Sequence, residues 1–364
     1  MFGDEPERYW EIALKESAHT IVTNVACLRK RPNVLIICGP HNKVLGEYIM
    51  LESQRIGAHP NLWTFNESFF LKSSRTGATL TTTILKHMHS LVEKSNVIIW
   101  LSQFEDVERF PADIRKNVYS FWESVDQAVK PKPRLFVNLP SLKYIRAMGI
   151  NYLEFLAAFI NGVKVDYGRL RETGSNIAAR LARRRFVRVY HTNGTDLEFS
   201  IKDRLVAVED GTLEDYYSTG RAFGIDVPGG EVCVAPVETS ANGTLVVDEY
   251  KEHGLKGLRL QFRNGRIVDV KTHKGGDAFT KLLKEAEGSK DRIAELGIGT
   301  NYGMKPVGWS IYDEKALGTA HIAIGNNIHL GGVNEASIHI DFVLNKPTIK
   351  ADKEPVMEQG RFLK

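Results

Sequence analysis

The chain has 364 residues, 43% hydrophobic and 25% charged, with a formal net charge of +4; that is the balance of a globular protein long enough for two cores. It excludes a disordered or polybasic chain, and no apolar run approaches the ~20 residues of a membrane span. The amino terminus MFGDEPERYW carries early acids and no apolar h-region, so no secretory signal is expected; Cys27, Cys38 and Cys233, an odd count without CxxC spacing, fit a reducing, cytoplasmic setting.

Residues 33–140 alternate short apolar runs with helical patterns. PNVLIICG predicts a buried strand, KVLGEYIMLESQRIGA a helix, NLWTF a strand, TTTILKHMHSLVEKS a helix, NVIIWLS a strand, DIRKNVYSFWESVDQAV a helix and RLFVNLP a strand. Continuous apolar strands separated by helices predict a mainly parallel sheet covered on both faces, an α/β three-layer domain. The loop after the first strand, CGPHNKVLGE, has no GxGxxG or Walker pattern, and His41 within it reads as a surface residue. This domain, residues 1–184, is expected to be a scaffold, not a cofactor site.

Residues 152–184 predict two helices broken near Asn161–Gly162. The basic run RLARRRFVR, residues 180–188, reads as a solvated helix end passing into a strand; no aromatic interleaving accompanies it, so no nucleic-acid partner is expected. From about Phe186 the texture changes. FVRVYHTNGTDLEFSI and GLRLQFRNGRIVDVKTH each predict a hairpin, around Asn193–Gly194 and Asn264–Gly265. A β-rich α+β domain is expected over residues 185–364.

That domain holds four apolar-flanked segments with metal-capable side chains: GGEVCVAP (Glu231), DRIAELGIGTN (Glu295), DEKALGTAHIAIGNN (His321) and SIHIDFVL (His339, Asp341). In an extended strand, His339 and Asp341 share one face about 6.6 Å apart, while Ile338, Ile340 and Phe342 share the other. His321 shares its face with Ala323 and Gly325, and Glu231 with Cys233 and Ala235, which leaves room for an ion and a substrate. Glycines in GIGTN and GGVN suggest close backbone approach. Each residue also has a plain structural reading: Glu231 as a turn cap, Glu295 as a helix-end acid, His321 as a core histidine, and the HxD pair as an incidental wet face. Together, three carboxylates and two imidazoles suit two divalent ions. Lys315, six residues before His321, is either a solvated turn lysine or a cation aimed at this site.

The ordered string GGEVCVAPVETSANGT, IAELGIGTN, DEKALGTAHIAIGNN, GG and SIHID, with TDLEFSIKDR upstream, resembles the aminopeptidase T/aminopeptidase S family of metallo-aminopeptidases (leucyl aminopeptidase-like) over most of residues 186–345. The resemblance implies Glu231, Glu295, His321, His339 and Asp341 as metal ligands for zinc, cobalt or manganese. It also implies a peptide substrate and a homodimer; Glu231 or Glu295 is then the candidate proton acceptor, and Lys315, from its own position, a candidate catalytic cation. The family's tyrosine, seven residues beyond the first histidine, is Ile328 here with His329 beside it, and the loop from His321 to His339 is shorter. The phenol that would stabilise an oxyanion is thus missing, unless His329 or an element elsewhere substitutes.

Dihydroxypyridine dioxygenases resemble the same fold. They imply a different chemistry: one iron(II) held by His321, His339 and Asp341, with the glutamates in support and a small-molecule substrate. A third reading is a non-enzymatic relative that keeps the fold. Metal content separates the three.

Overall fold

A computed structural model describes residues 5–65, 78–101, 124, 125, 127–129, 132–214, 217 and 224–363. The chain forms two compact units, one of residues 1–147, 151–164 and 211–229, the other of residues 148–150, 165–210 and 230–364.

The first unit is built on a parallel five-stranded sheet in the order His59–Thr64, Asn33–Cys38, Val97–Leu101, Arg134–Val137 and Gly224–Val227. Alternation sends Leu35, Ile37, Ile98 and Trp100 to one face, where they meet Met88 and Val92 of helix Ala78–Lys94 together with Val125 and Val129. Helix Lys43–Arg55 covers the other face, where Gly46 lies against Cys38 and Leu62. Two covered faces explain why the central strands are apolar throughout. The three-layer α/β architecture expected from the sequence is observed. Most of the helix expected over residues 113–129 lies outside the described residues.

The helix pair after residue 150 differs from expectation. Tyr152–Val163 runs unbroken through Asn161 and Gly162, and the second helix is Tyr167–Leu181. Capping sets these boundaries. The Asn151 side chain accepts from the Leu153 and Glu154 N–H groups, and Asp166 accepts from the Arg169 N–H. The glycine is tolerated because it is buried against its neighbours.

The second unit contains an eight-stranded antiparallel sheet, built from the strands over residues 186–200, 242–271 and 348–362, and a five-stranded one. The Asn264–Gly265 hairpin forms as predicted, with both residues at positive φ (50° and 79°), the signature of a type I′ turn. The five-stranded sheet runs His339–Asn345, Thr319–Gly325, Ile293–Gly299, Glu231–Val234 and Val206–Glu209, each pair antiparallel. One face of it enters the core through Val232, Val234, Leu296, Ile298, Ile322, Ile324, Ile340 and Phe342, which join Leu197, Phe199, Leu245, Leu258 and Leu260. Its opposite face carries the polar residues singled out above.

Among the described residues no helix is long and apolar enough to cross a membrane.

Candidate metal centre

Period-two alternation puts the candidate ligands on the face of the five-stranded sheet that looks away from the core. Ile340 is 5% exposed and Phe342 fully buried, so the strand register that buries them turns His339 and Asp341 outward together. Across the sheet, Gly299 lies opposite Glu231, Gly297 opposite His321, Ala323 opposite both Glu295 and Asp341, and Gly325 opposite His339. Each large ligand therefore has a small residue beside it.

Two of these glycines make the site possible. A Cβ on Gly297 would stand 1.9 Å from Cε1 of His321, so the imidazole lies directly over that backbone. A Cβ on Gly299 would meet the Ala316 carbonyl at 2.1 Å and the Glu314 carbonyl at 2.7 Å. Without side chains there, the turn over residues 313–319 lies against the strand and delivers Glu314 and Lys315 to Glu231.

The five expected ligands converge. His321 Nε2 lies 3.3 Å from Glu295 Oε1, 3.6 Å from Asp341 Oδ1 and 4.0 Å from Glu231 Oε2. His339 Nε2 lies 3.2 Å from both Glu295 Oε2 and Asp341 Oδ1. The two rings thus reach the same Asp341 oxygen from neighbouring strands. His339 Nδ1 donates to the Asn326 carbonyl at 2.6 Å, which fixes the tautomer and leaves Nε2 for the site.

Lys315 is buried, 3% exposed, and is no solvated turn lysine. Its ammonium donates to Glu231 Oε1 and lies 3.1 Å from Glu314 Oε1. Glu314 is a member of the cluster that sequence reasoning missed. Its only local signal is its place between Asp313 and Lys315 in a segment already singled out.

Charge in the cluster is held in mutual balance. Burial opposes ionisation of both rings, yet hydrogen bonding and the surrounding carboxylates prevail. His321 is pushed up to about 10 by Glu295 and Asp341, and His339 to about 11 by Asp341 and Glu295. Burial likewise works to raise Glu295 and Asp341. The two imidazoles outweigh it, holding Glu295 well below the carboxylate range and Asp341 below its ordinary value. Glu314 goes the other way: burial, with the nearby Asp341 and Glu231, raises it to about 8 against the pull of Lys315.

The donor set fits a divalent cation. Glu231 Oε2 is buried, faces His321 Nε2 at 4.0 Å and has no hydrogen-bond partner among the described residues, and the buried Asp341 Oδ1 is approached by both imidazole Nε2 atoms. Buried carboxylate oxygens so placed call for positive charge. Donor atoms within 4.8 Å of one another occur in Glu295–His321–Asp341, in Glu231–Cys233–Glu295 and in Glu295–His329–His339. Glu295 belongs to all three. In the second group the Cys233 thiol is pushed well up by burial and by Glu231 and Glu295, which disfavours the thiolate a metal would bind.

A family model described as thermophilic metalloprotease (M29) matches residues 166–362. The chain is 26% identical over a 202-residue alignment to aminopeptidase AmpS of Bacillus subtilis (strain 168), with a coverage of 48% of this chain and 48% of that protein. It is 25% identical over 176 residues to aminopeptidase 2 of Geobacillus stearothermophilus, covering 40% of this chain and 41% of that one. The chain thus spans about half the length of the curated relatives it matches. Wild-type AmpT from Thermus thermophilus superposes with a TM-score of 0.76 at 16% identity, over 98% of this chain and 100% of that one. The 2,5-dihydroxypyridine dioxygenase of Pseudomonas putida KT2440 gives 0.64 at 15%, over 97% of each chain. At those identities the two structures show a shared fold. The resemblance drawn from the sequence motifs is borne out.

Proposed function

The chain belongs to the thermophilic metalloprotease (M29) family, and from that premise we propose that it is a metal-dependent aminopeptidase-like hydrolase removing N-terminal residues from peptides. The observation that carries this reading is the convergence of the buried carboxylates Glu231, Glu295 and Asp341 with the imidazoles of His321 and His339. These five residues would hold two divalent ions, zinc, cobalt or manganese. Bound there, such ions would polarise a carbonyl and lower the pKa of a bound water toward ~7.

The chain's own groups supply proton transfer and orientation. Glu231 and Glu295 are the candidate acceptors of the proton from the attacking water. Lys315 holds one oxygen of Glu231 and so fixes which oxygen faces the centre. Glu314, raised to about 8 by burial and its carboxylate neighbours, is the candidate proton donor to the leaving amine. A peptide with a free α-amino group is the expected substrate. In the same reading the enzyme works as a cytoplasmic homodimer, and a cysteine set without a disulfide agrees with the reducing compartment. Monomeric sedimentation across micromolar concentrations would remove the dimer from the proposal.

Metal analysis of protein purified without added metal or chelator is the direct test. Two ions per chain, with peptide hydrolysis lost on chelation and regained with zinc, cobalt or manganese, is the expected result. One iron per chain with ring-cleaving activity would replace this reading by the dioxygenase one, through His321, His339 and Asp341. No metal after reconstitution would make the chain a non-enzymatic relative.

Lys315→Met supplies a second test. Turnover of the loaded enzyme should drop about tenfold to a thousandfold with metal content unchanged, because Glu231 loses its orienting partner. Breaking a buried pair costs about 3–5 kcal/mol, so the metal-free variant should also melt earlier. Wild-type turnover would remove Lys315 from the mechanism.

A further inference from the structure

The loop joining the His321 and His339 strands brings a third imidazole to the centre. It contains a 3₁₀ turn, Ile328–Leu330, and its path is fixed from beneath. The fully buried Asn327 side chain donates to Glu238 Oε1 and to the Ala294 carbonyl, both at 3.2 Å, and accepts from the Asn334 N–H at 2.8 Å. The Val333 N–H donates to the same Glu238 oxygen at 2.8 Å. On this anchored loop the His329 ring stands edge-on to His339, with centroids 5.3 Å apart. Donor atoms of Glu295, His329 and His339 all lie within 4.8 Å of one another.

We infer that His329 is a metal ligand, forming with Glu295 and His339 a nitrogen-rich position beside the Glu295–His321–Asp341 group. The inference rests on the two-ion reading above. His339 has only Nε2 to offer, since Nδ1 is committed to the Asn326 carbonyl. Donor atoms already within 4.8 Å of one another would need only a small ring rotation to share one ion. His329 is exposed, and its outer edge can turn without disturbing the core. Two imidazoles with one carboxylate suit zinc or cobalt better than manganese, so the two positions should differ in metal preference.

Cobalt(II) titration, followed by visible absorption and by equilibrium binding, tests the assignment on wild type and His329→Ala. Wild type should bind two cobalt ions. In the variant one of them should bind about tenfold to a hundredfold more weakly while the other is unchanged, with the far-ultraviolet circular dichroism of wild type. Free imidazole should restore the lost absorption band, which a purely structural histidine would not permit. Two ions bound by the variant with wild-type affinity and spectrum would overturn the His329 assignment and leave the two-ion reading standing. Wild-type protein that binds no cobalt would overturn both.

Discussion

Glu295→Gln should leave a folded protein that no longer holds its metal, with kcat/KM on a peptide substrate down about a thousandfold or more. Each oxygen of Glu295 faces a different imidazole, Oε1 toward His321 at 3.3 Å and Oε2 toward His339 at 3.2 Å. It is the one residue common to every candidate ligand group among the described residues. Glutamine keeps the shape but removes the charge and turns one acceptor into a donor aimed at an imidazole. Metal-ion catalysis supplies several kcal/mol of charge stabilisation, and each 1.36 kcal/mol is tenfold in rate, which sets the size of the loss. Metal content by plasma emission and initial rates on the same preparation check it. A fully loaded variant would show that Glu295 is not the hub described above.

Gly297→Ala should be nearly as damaging through one methyl group. The added Cβ would sit 1.9 Å from His321 Cε1 and 2.3 Å from Nε2, on a strand buried along its whole length. The ring has to leave its position. Overpacking of this kind costs about 1–3 kcal/mol, and a ~1 Å misplacement of a catalytic group costs about a hundredfold in rate. Thermal melts and kcat/KM should therefore both fall. The cause can be isolated: adding His321→Ala to Gly297→Ala should recover most of the lost melting temperature and none of the activity. A double variant no more stable than Gly297→Ala alone would mean that the strand itself is strained, not the ring.

Local periodicity made the ligand strands legible. In SIHIDFVL the alternation of polar and apolar residues is itself the statement that His339 and Asp341 share a face, and the buried Ile340 and Phe342 agree. The Asn264–Gly265 turn was equally plain, because only a few residues accept positive φ twice in succession. What stayed hidden was set by long-range pairing. Glu314 enters the cluster only because the turn that carries it lies on Gly299, which three strands separate from Glu231 in sequence and which pairs with it in the sheet. Gly224–Val227 completes the parallel sheet through its register with Arg134–Val137, which no local pattern announces. Gly162 looked like a helix breaker, but the first helix runs on to Val163 and the Asp166 side chain caps the second at Tyr167.

A sheet with one face packed and the other free for chemistry separates two kinds of selection. Replacing Ile340 or Phe342 alters whether the polypeptide folds, whereas replacing His339 or Asp341, on alternate positions of the same strand, alters only what can be bound. The ligand face behaves as a pegboard with fixed spacing, about 6.6 Å along a strand and about 4.8 Å between strands, onto which donors can be moved one at a time. Redesign toward a different ion or a different reaction therefore has an address for every change. It can proceed by single substitutions on that face while the opposite face keeps the register.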